Sequence, residues 1–208
     1  MSLELWLAFA LASAALLAVP GPTVMLVTSY AIGRGRASGW ATVPGVALGD
    51  LTAMTISLLG AGAALAASAT LFSVLKLVGA AYLIWLGVKL WRAPPVLAEA
   101  QPHAAAKSGR AMFLNAFAVT ALNPKSIVFF VAFAPQFVDP AAPALPQFAA
   151  MEATFVTLAA VNAALWAMLA GELRRRARNP ATLRRANRAG AAFLIGAGAL
   201  TAAARRSA

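Results

Sequence analysis

ALLAVPGPTVMLV, residues 15–27, is an apolar run broken at its centre by Pro20-Gly21-Pro22. A proline inside a helix removes a backbone donor and clashes with the preceding turn, at a cost of about 3 kcal/mol. The same anomaly recurs in ALNPKSIVFF, residues 121–130, where Asn123-Pro124-Lys125 interrupts a second apolar run. Two costly breaks in otherwise uninterrupted apolar segments are best explained by a binding site.

Composition places those segments in a membrane. The 208 residues are 62% hydrophobic and 11% charged, with a mean hydropathy of +0.78. Soluble domains run at about 45–50% apolar and about 25% charged, and a soluble core could not absorb the excess. The formal net charge of +11 does not point to nucleic acid, because such binders concentrate their charge on a polar face and little polar face exists here. With no cysteine in the chain, disulfides and thiolate metal sites are excluded.

Six stretches approach or exceed the roughly 17–25 residues that span a hydrocarbon core as a helix: 3–30, 40–67, 71–91, 112–137, 148–171 and 189–204. The separators are Gly33 to Arg36, a weak break at 68–70, a polar loop from Arg92 to Arg110, a proline-containing turn at 139–146, and an Arg run from Arg174 to Arg188. One integral domain, 1–208, accommodates them. Glu4 precedes the first apolar run and no Lys or Arg does, so a retained helix is expected there and not a cleaved signal peptide. The sixth stretch is only about 24 Å long as a helix and ends in Arg205-Arg206. It is expected to cross with a tilt, a surface helix being the alternative.

Basic loops stay cytoplasmic. Arg34 and Arg36, then Lys89, Arg92, Lys107 and Arg110, then the run from Arg174 to Arg188 fall after spans one, three and five, against Arg205 and Arg206 on the other side. The N-terminus is therefore expected outside, and the Arg run to face anionic lipid. Trp6, Trp40, Trp91 and Trp166 sit near span ends, as interfacial anchors do.

Three crossings followed by three more make the second half enter from the opposite side, the topology of inverted repeats whose midplane interface houses transport sites. The expected fold is therefore all-α, six transmembrane helices in a 3+3 inverted repeat, with helices one and four broken. Pro22 to Val27 can be laid over Pro124 to Phe129, each a proline running into an apolar stretch. Both prolines lie near mid-bilayer, about 16 Å from Gly33 and about 21 Å from Arg110 along a helix. A break at that depth frees N–H and C=O groups that a carboxylate and an ammonium can use.

Asp50 falls near the centre of span two, where an acid costs roughly 2.5–3.5 kcal/mol. Gly45 and Gly49 precede it at i, i+4 spacing, allowing another helix close approach and turning the acid toward the bundle. A structural ion pair with Lys125 is the competing role. Lys125 itself either serves the site or snorkels. Lys76 and Glu152 are expected to reach the outer interface, Asn115 and Asn162 to bond between helices, and His103 to be solvated in the polar loop. No metal set, nucleotide loop or hydrolase motif of the H-E-x-x-H, G-x-S-x-G or Walker type is present, so no cofactor and no enzyme activity are expected.

Taken in order, Pro20-Gly21-Pro22, Gly45 to Asp50, Gly79-Ala80-Ala81-Tyr82-Leu83 with Leu86-Gly87, and Asn123-Pro124-Lys125 through Phe129-Phe130 to Pro135-Gln136-Phe137 resemble the lysine exporter (LysE) superfamily. More narrowly they resemble its homoserine/threonine resistance (RhtB-type) branch. The resemblance covers nearly the whole chain and implies a small bacterial inner-membrane exporter moving an amino acid outward, in exchange for protons. The lysine and arginine exporters carry an acid shortly after the Asn-Pro pair, where this chain has Phe129, which favours a neutral substrate.

The expectation is then a secondary transporter for small amino acids or related zwitterions. Pro20, Gly21, Pro22, Asn123, Pro124 and Lys125 would hold the substrate's charged ends, and Asp50 would carry a proton or the ammonium. Its partners are a small-molecule substrate and the lipid bilayer, with no nucleic acid; homo-oligomerisation is left open. A passive channel would need a continuous polar lining, and an intramembrane enzyme a nucleophile–base pair or metal set at depth, neither of which the sequence offers.

Overall fold

Pro at the first helical position loses only an N–H that would be orphaned anyway, so each Pro break is also a helix start. A computed structural model describes residues 1–93, 108–139, 141–176 and 180–203. Helix α1 (Leu3–Ala18) ends at Val19, in an extended conformation; Gly21, also extended, leads into α2 (Pro22–Arg34), with Pro22 in its first turn. The two halves are bent by 54°. The second break is built alike: α5 (Gly109–Ala121) stops, extended Asn123 caps α6 (Pro124–Val128), and the rod continues as a π-helical turn (Phe129–Phe133) and a 3₁₀ turn (Ala134–Phe137).

Between the breaks lie α3 (Gly39–Ala67) and α4 (Ala69–Arg92). They are separated at Ser68, whose extended backbone ends one helix while its hydroxyl accepts from Leu71 N at 3.3 Å to cap the next. After the second rod come α7 (Ala144–Arg176) and α8 (Pro180–Ala203). Gln147, buried in the first turn of α7, donates to the carbonyls of Asp139, Ala142 and Pro143 and accepts from Asp139 N. Helix α8 begins at Pro180, well before residue 189, because Arg184, Arg185 and Arg188 are helical here; apolar length alone hides that first half. His103, Lys107, Arg178, Arg205 and Arg206 lie outside the described residues.

No strand occurs among the described residues. Four helical stretches are long and apolar enough to cross a membrane (Arg36–Ala64, Ser73–Arg92, Gly109–Phe137 and Ala144–Ala170), or five if the bent pair α1–α2 is one span. Large apolar side chains such as Leu11, Ile56, Leu59 and Val78 face outward, the arrangement of a protein whose solvent is lipid. The chain is an all-α membrane protein.

Helices pack where side chains are smallest. A Cβ on Gly45 would stand 2.5 Å from the Phe113 carbonyl oxygen, and one on Gly49 2.8 Å from that of Phe117, so α3 lies backbone to backbone on α5 as their spacing predicts. Helices α4 and α8 meet through a second pair. A Cβ on Gly87 would meet Ala191 O at 2.9 Å and Ile195 N at 3.1 Å, and one on Gly198 would meet Ala80 O at 2.7 Å and Ile84 N at 3.1 Å. Those contacts are reciprocal because the segments are alike. GAAYLIWLG (79–87) and GAAFLIGAG (190–198) share Gly79/Gly190, Ala80/Ala191, Ala81/Ala192, Leu83/Leu194, Ile84/Ile195 and Gly87/Gly198, and they run antiparallel around a local two-fold.

Two apolar clusters divide the interior. One is aromatic, with Phe9, Phe129, Phe130, Phe133 and Phe155 buried and Phe137 beside them; ring centroids lie 4.7 Å apart for Phe130–Phe155 and 5.2 Å for Phe129–Phe133. The other is built of Val27, Ala31, Val46, Ala116, Ala163, Ala167 and Ala170. Introducing a methyl at Gly49 should force α3 from α5 and lower stability by about 1–3 kcal/mol. Thermal unfolding in detergent should show a depressed midpoint for Gly49→Ala and none for Gly60→Ala, where a Cβ meets open space.

Candidate functional site

A helix ending inside a bilayer leaves its last carbonyls without donors. Here the first break is completed by side chains from the second half of the chain. Lys125 Nζ donates to Leu16 O at 3.1 Å and Val19 O at 2.8 Å, and Asn162 Nδ2 donates to Leu17 O at 3.3 Å. Bonding also runs the other way. Asn123 Oδ1 accepts from Lys125 N at 3.1 Å, capping α6, while its Nδ2 donates to Thr23 Oγ1 at 3.3 Å; Thr23 in turn meets Thr120 Oγ1 at 3.2 Å. The two breaks form one hydrogen-bonded unit.

Beside that unit is a cavity of ≈ 20 Å³, room for about one water molecule. Gly21, Asp50, Asn123 and Lys125 line it together with Thr23, Ser126 and Asn162, and its apolar walls are Leu17, Val24, Val27, Val46, Ala159 and Ala163. Along α7 it falls between Phe155 of the aromatic cluster and Ala167 of the small-residue cluster. Four of the seven residues singled out from the sequence thus meet on one surface. Pro20, Pro22 and Pro124 do not line it; they shape the backbone that does.

Asp50 is 2% exposed, and its Oδ1 has no hydrogen-bond partner. The Lys125 ammonium is the charge that acts on it, and the Ser126 side chain faces it. Lys125 is itself buried, at 8% exposure, so it does not snorkel. Nor is it spent on the acid, since its ammonium bonds to the α1 carbonyls. The carbonyls freed by the first break are accordingly occupied in this conformation.

Other polar groups hold helices together. Asn115 Nδ2 donates to Tyr30 Oη at 2.8 Å, Trp6 Nε1 to Thr154 Oγ1 at 2.9 Å, and Thr55 Oγ1 to Glu152 at 2.5 Å. Glu152 is thus tied to α3. Among the described residues no three potential ligands converge as a metal site. Ser126, Thr23 and Asn162 are lining residues that the sequence does not mark as site residues. Ser126 adjoins Lys125, and only Asn162 carries a signal of its own, an amide in an apolar span.

The sequence matches the LysE type translocator description over residues 14–204. The chain belongs to the LysE type translocator family. It is similar, at 32% identity over 207 residues covering the whole of both chains, to a homoserine/homoserine lactone efflux protein of Salmonella typhimurium. An uncharacterized membrane protein of Vibrio cholerae is 33% identical over 206 residues, 99% of this chain and all of that one. A leucine efflux protein of Klebsiella pneumoniae is 31% identical over 134 residues, 64% of this chain and 63% of the relative. No solved structure matches. This member of the LysE type translocator family is a multi-pass transport protein and not an enzyme.

The translocator's Asn123 serves both breaks, so Asn123→Ala should remove the α6 cap and the bond to Thr23 together. A loss of about 0.5–2 kcal/mol is expected for the cap alone. Thermal unfolding in detergent should show it, and Asn123→Ser, which restores a capping oxygen, should recover part.

Proposed function

We propose that this translocator is a secondary exporter of small, neutral amino acids or related zwitterions, driven by proton antiport across the bacterial inner membrane. The observation that carries the reading is the cavity where the two breaks meet, with the unpartnered Asp50 oxygen on one wall and a buried ammonium on another. An amino acid presents the complementary pair, an ammonium for Asp50 and a carboxylate for donors at the breaks. Relatives named for homoserine and leucine efflux support amino acids as the substrate class. The lining offers no second acid, and beyond Asp50 and Lys125 its walls are apolar or uncharged, which supports a neutral side chain. Phe129 does not supply that argument: it is fully buried in the aromatic cluster and does not line the cavity.

Asp50 then does two jobs at different times. With substrate present it accepts the ammonium; with substrate gone it takes up a proton for the return, so that the acid never crosses the cycle uncompensated. The cavity as seen is too small for an amino acid, so binding requires the helices around it to separate.

The six helical rods are read as a 3+3 inverted repeat, α1–α2 with α3 and α4 against α5–α6 with α7 and α8. The antiparallel likeness of 79–87 and 190–198 supports it, as does the Pro-initiated second half of each broken rod. Rocking of one half on the other around the fixed site gives alternating access. With the N-terminus outside, as the basic loops favour, the aromatic cluster closes the outer path and the Ala/Val cluster the inner one. A passive channel fits less well, because it needs a continuous polar lining and beyond the cavity the interior is packed with apolar side chains, phenylalanines on one side and Ala and Val on the other.

In proteoliposomes carrying a pH gradient, the wild type should concentrate a labelled small neutral amino acid against its own gradient. Asp50→Asn should insert normally and lose that concentrative movement by about a hundredfold or more; full activity in that variant would remove Asp50 from the mechanism. Pro20→Ala with Pro22→Ala should straighten the first rod and weaken substrate affinity, and unchanged affinity in a binding assay would refute a role for the break.

A further inference from the structure

The exporter reading leaves open what keeps a cationic amino acid out of a cavity that contains a buried acid. Lys125 is held by its own backbone: its N–H bonds Asn123 Oδ1 in the first turn of α6, which directs the stem across to α1. There its ammonium sits on the Leu16 and Val19 carbonyls, the negative end of α1. Gly21 lies against it: a Cβ there would stand 3.4 Å from Nζ and 3.6 Å from Cε, ordinary van der Waals contact, so the ammonium is packed directly over the first break. The cavity therefore holds one carboxylate and one fixed cation, and its other polar lining groups, Thr23, Asn123, Ser126 and Asn162, are neutral.

We infer that Lys125 is the charge filter of the site, a tethered ammonium that fills the carbonyl end of the broken helix and so limits substrates to those bringing a single cationic group, paired with an anionic one. This rests on the exporter reading and extends it to specificity. A zwitterion leaves the cavity electrically balanced: its ammonium meets Asp50 Oδ1, and its carboxylate meets the third N–H of Lys125, two of the three being used on carbonyls. A dibasic amino acid or a diamine brings a second ammonium. The acceptors suited to it, Leu16 O and Val19 O, are already taken, and burying a further cation without a partner is strongly unfavourable. With the lysine charge gone, those carbonyls and Asp50 together form an electronegative cavity suited to that substrate.

Counterflow in proteoliposomes with labelled leucine, lysine and 1,4-diaminobutane tests this. Lys125→Met keeps the stem and removes the charge; Lys125→Gln keeps an N–H donor for the carbonyls and removes the charge, so it carries the same readout if the Met variant is not recovered folded. The ratio of lysine or diamine transport to leucine transport should rise at least about tenfold in the charge-free variants and stay at the wild-type value in Lys125→Arg. A ratio unchanged within about twofold in Lys125→Gln, with the wild type active on leucine, would overturn the filter and leave the exporter reading standing. A wild type that exchanges no amino acid at all would overturn the exporter reading, and the filter with it.

Discussion

Helix α1 ends inside a bilayer, where hydrocarbon offers its carbonyls no donors, and Lys125 supplies two of them from the other half of the chain. That bond constrains everything around it. It needs Pro20 to Pro22 to stop α1 and free the carbonyls, and Pro124 to restart a helix so that Lys125 falls in its first turn. Asn123 and Asn162 add bonds across the same gap. Each break would be an orphaned helix end alone. Together they satisfy one another and leave one buried acid, Asp50, beside them.

Packing is arranged so that this polar unit can exist in an apolar bundle. The glycines of α3 bring its backbone against α5 just before Asp50, and the reciprocal glycines of α4 and α8 hold those two helices together. Above and below the cavity the two halves of the interior differ in character: six aromatic rings in one, small aliphatic residues in the other. The π-helical turn Phe129–Phe133 follows directly on the second break, so the ring cluster hangs on the same segment that carries Lys125.

Much of this is legible from residue order because proline, glycine and buried charge act locally. Pro22 and Pro124 announce helix starts by what their rings forbid, Gly45 and Gly49 announce a close helix contact, and Asp50 announces a functional interior because burial of an acid is costly. What the order does not disclose is pairing across distance. Lys125 meets Leu16 and Val19 more than a hundred residues away, and nothing in either segment names the other; residue order offers only a role in the site, an ion pair with Asp50, or snorkelling. The start of α8 at Pro180 is hidden because its arginines mask a helix that hydropathy sees only from residue 189. Phe129 reads as a substitution for an acid but folds into a ring cluster, since its side chain points away from the cavity. The likeness of 79–87 to 190–198 is present in the residue order too, but only the reciprocal contacts give it meaning.

In the proposed export cycle the substrate sits in the cavity that joins the two breaks. Because the chain has no cysteine, a single Ala163→Cys substitution places the only thiol on the cavity wall, and a single Ala37→Cys substitution places one on the exposed turn between α2 and α3. The deciding measurement is the rate of thiol modification in each variant with and without a transported amino acid. Slowing by substrate in the Ala163→Cys variant and not in the Ala37→Cys variant is the predicted result. Equal rates in the Ala163→Cys variant with and without saturating substrate would contradict it.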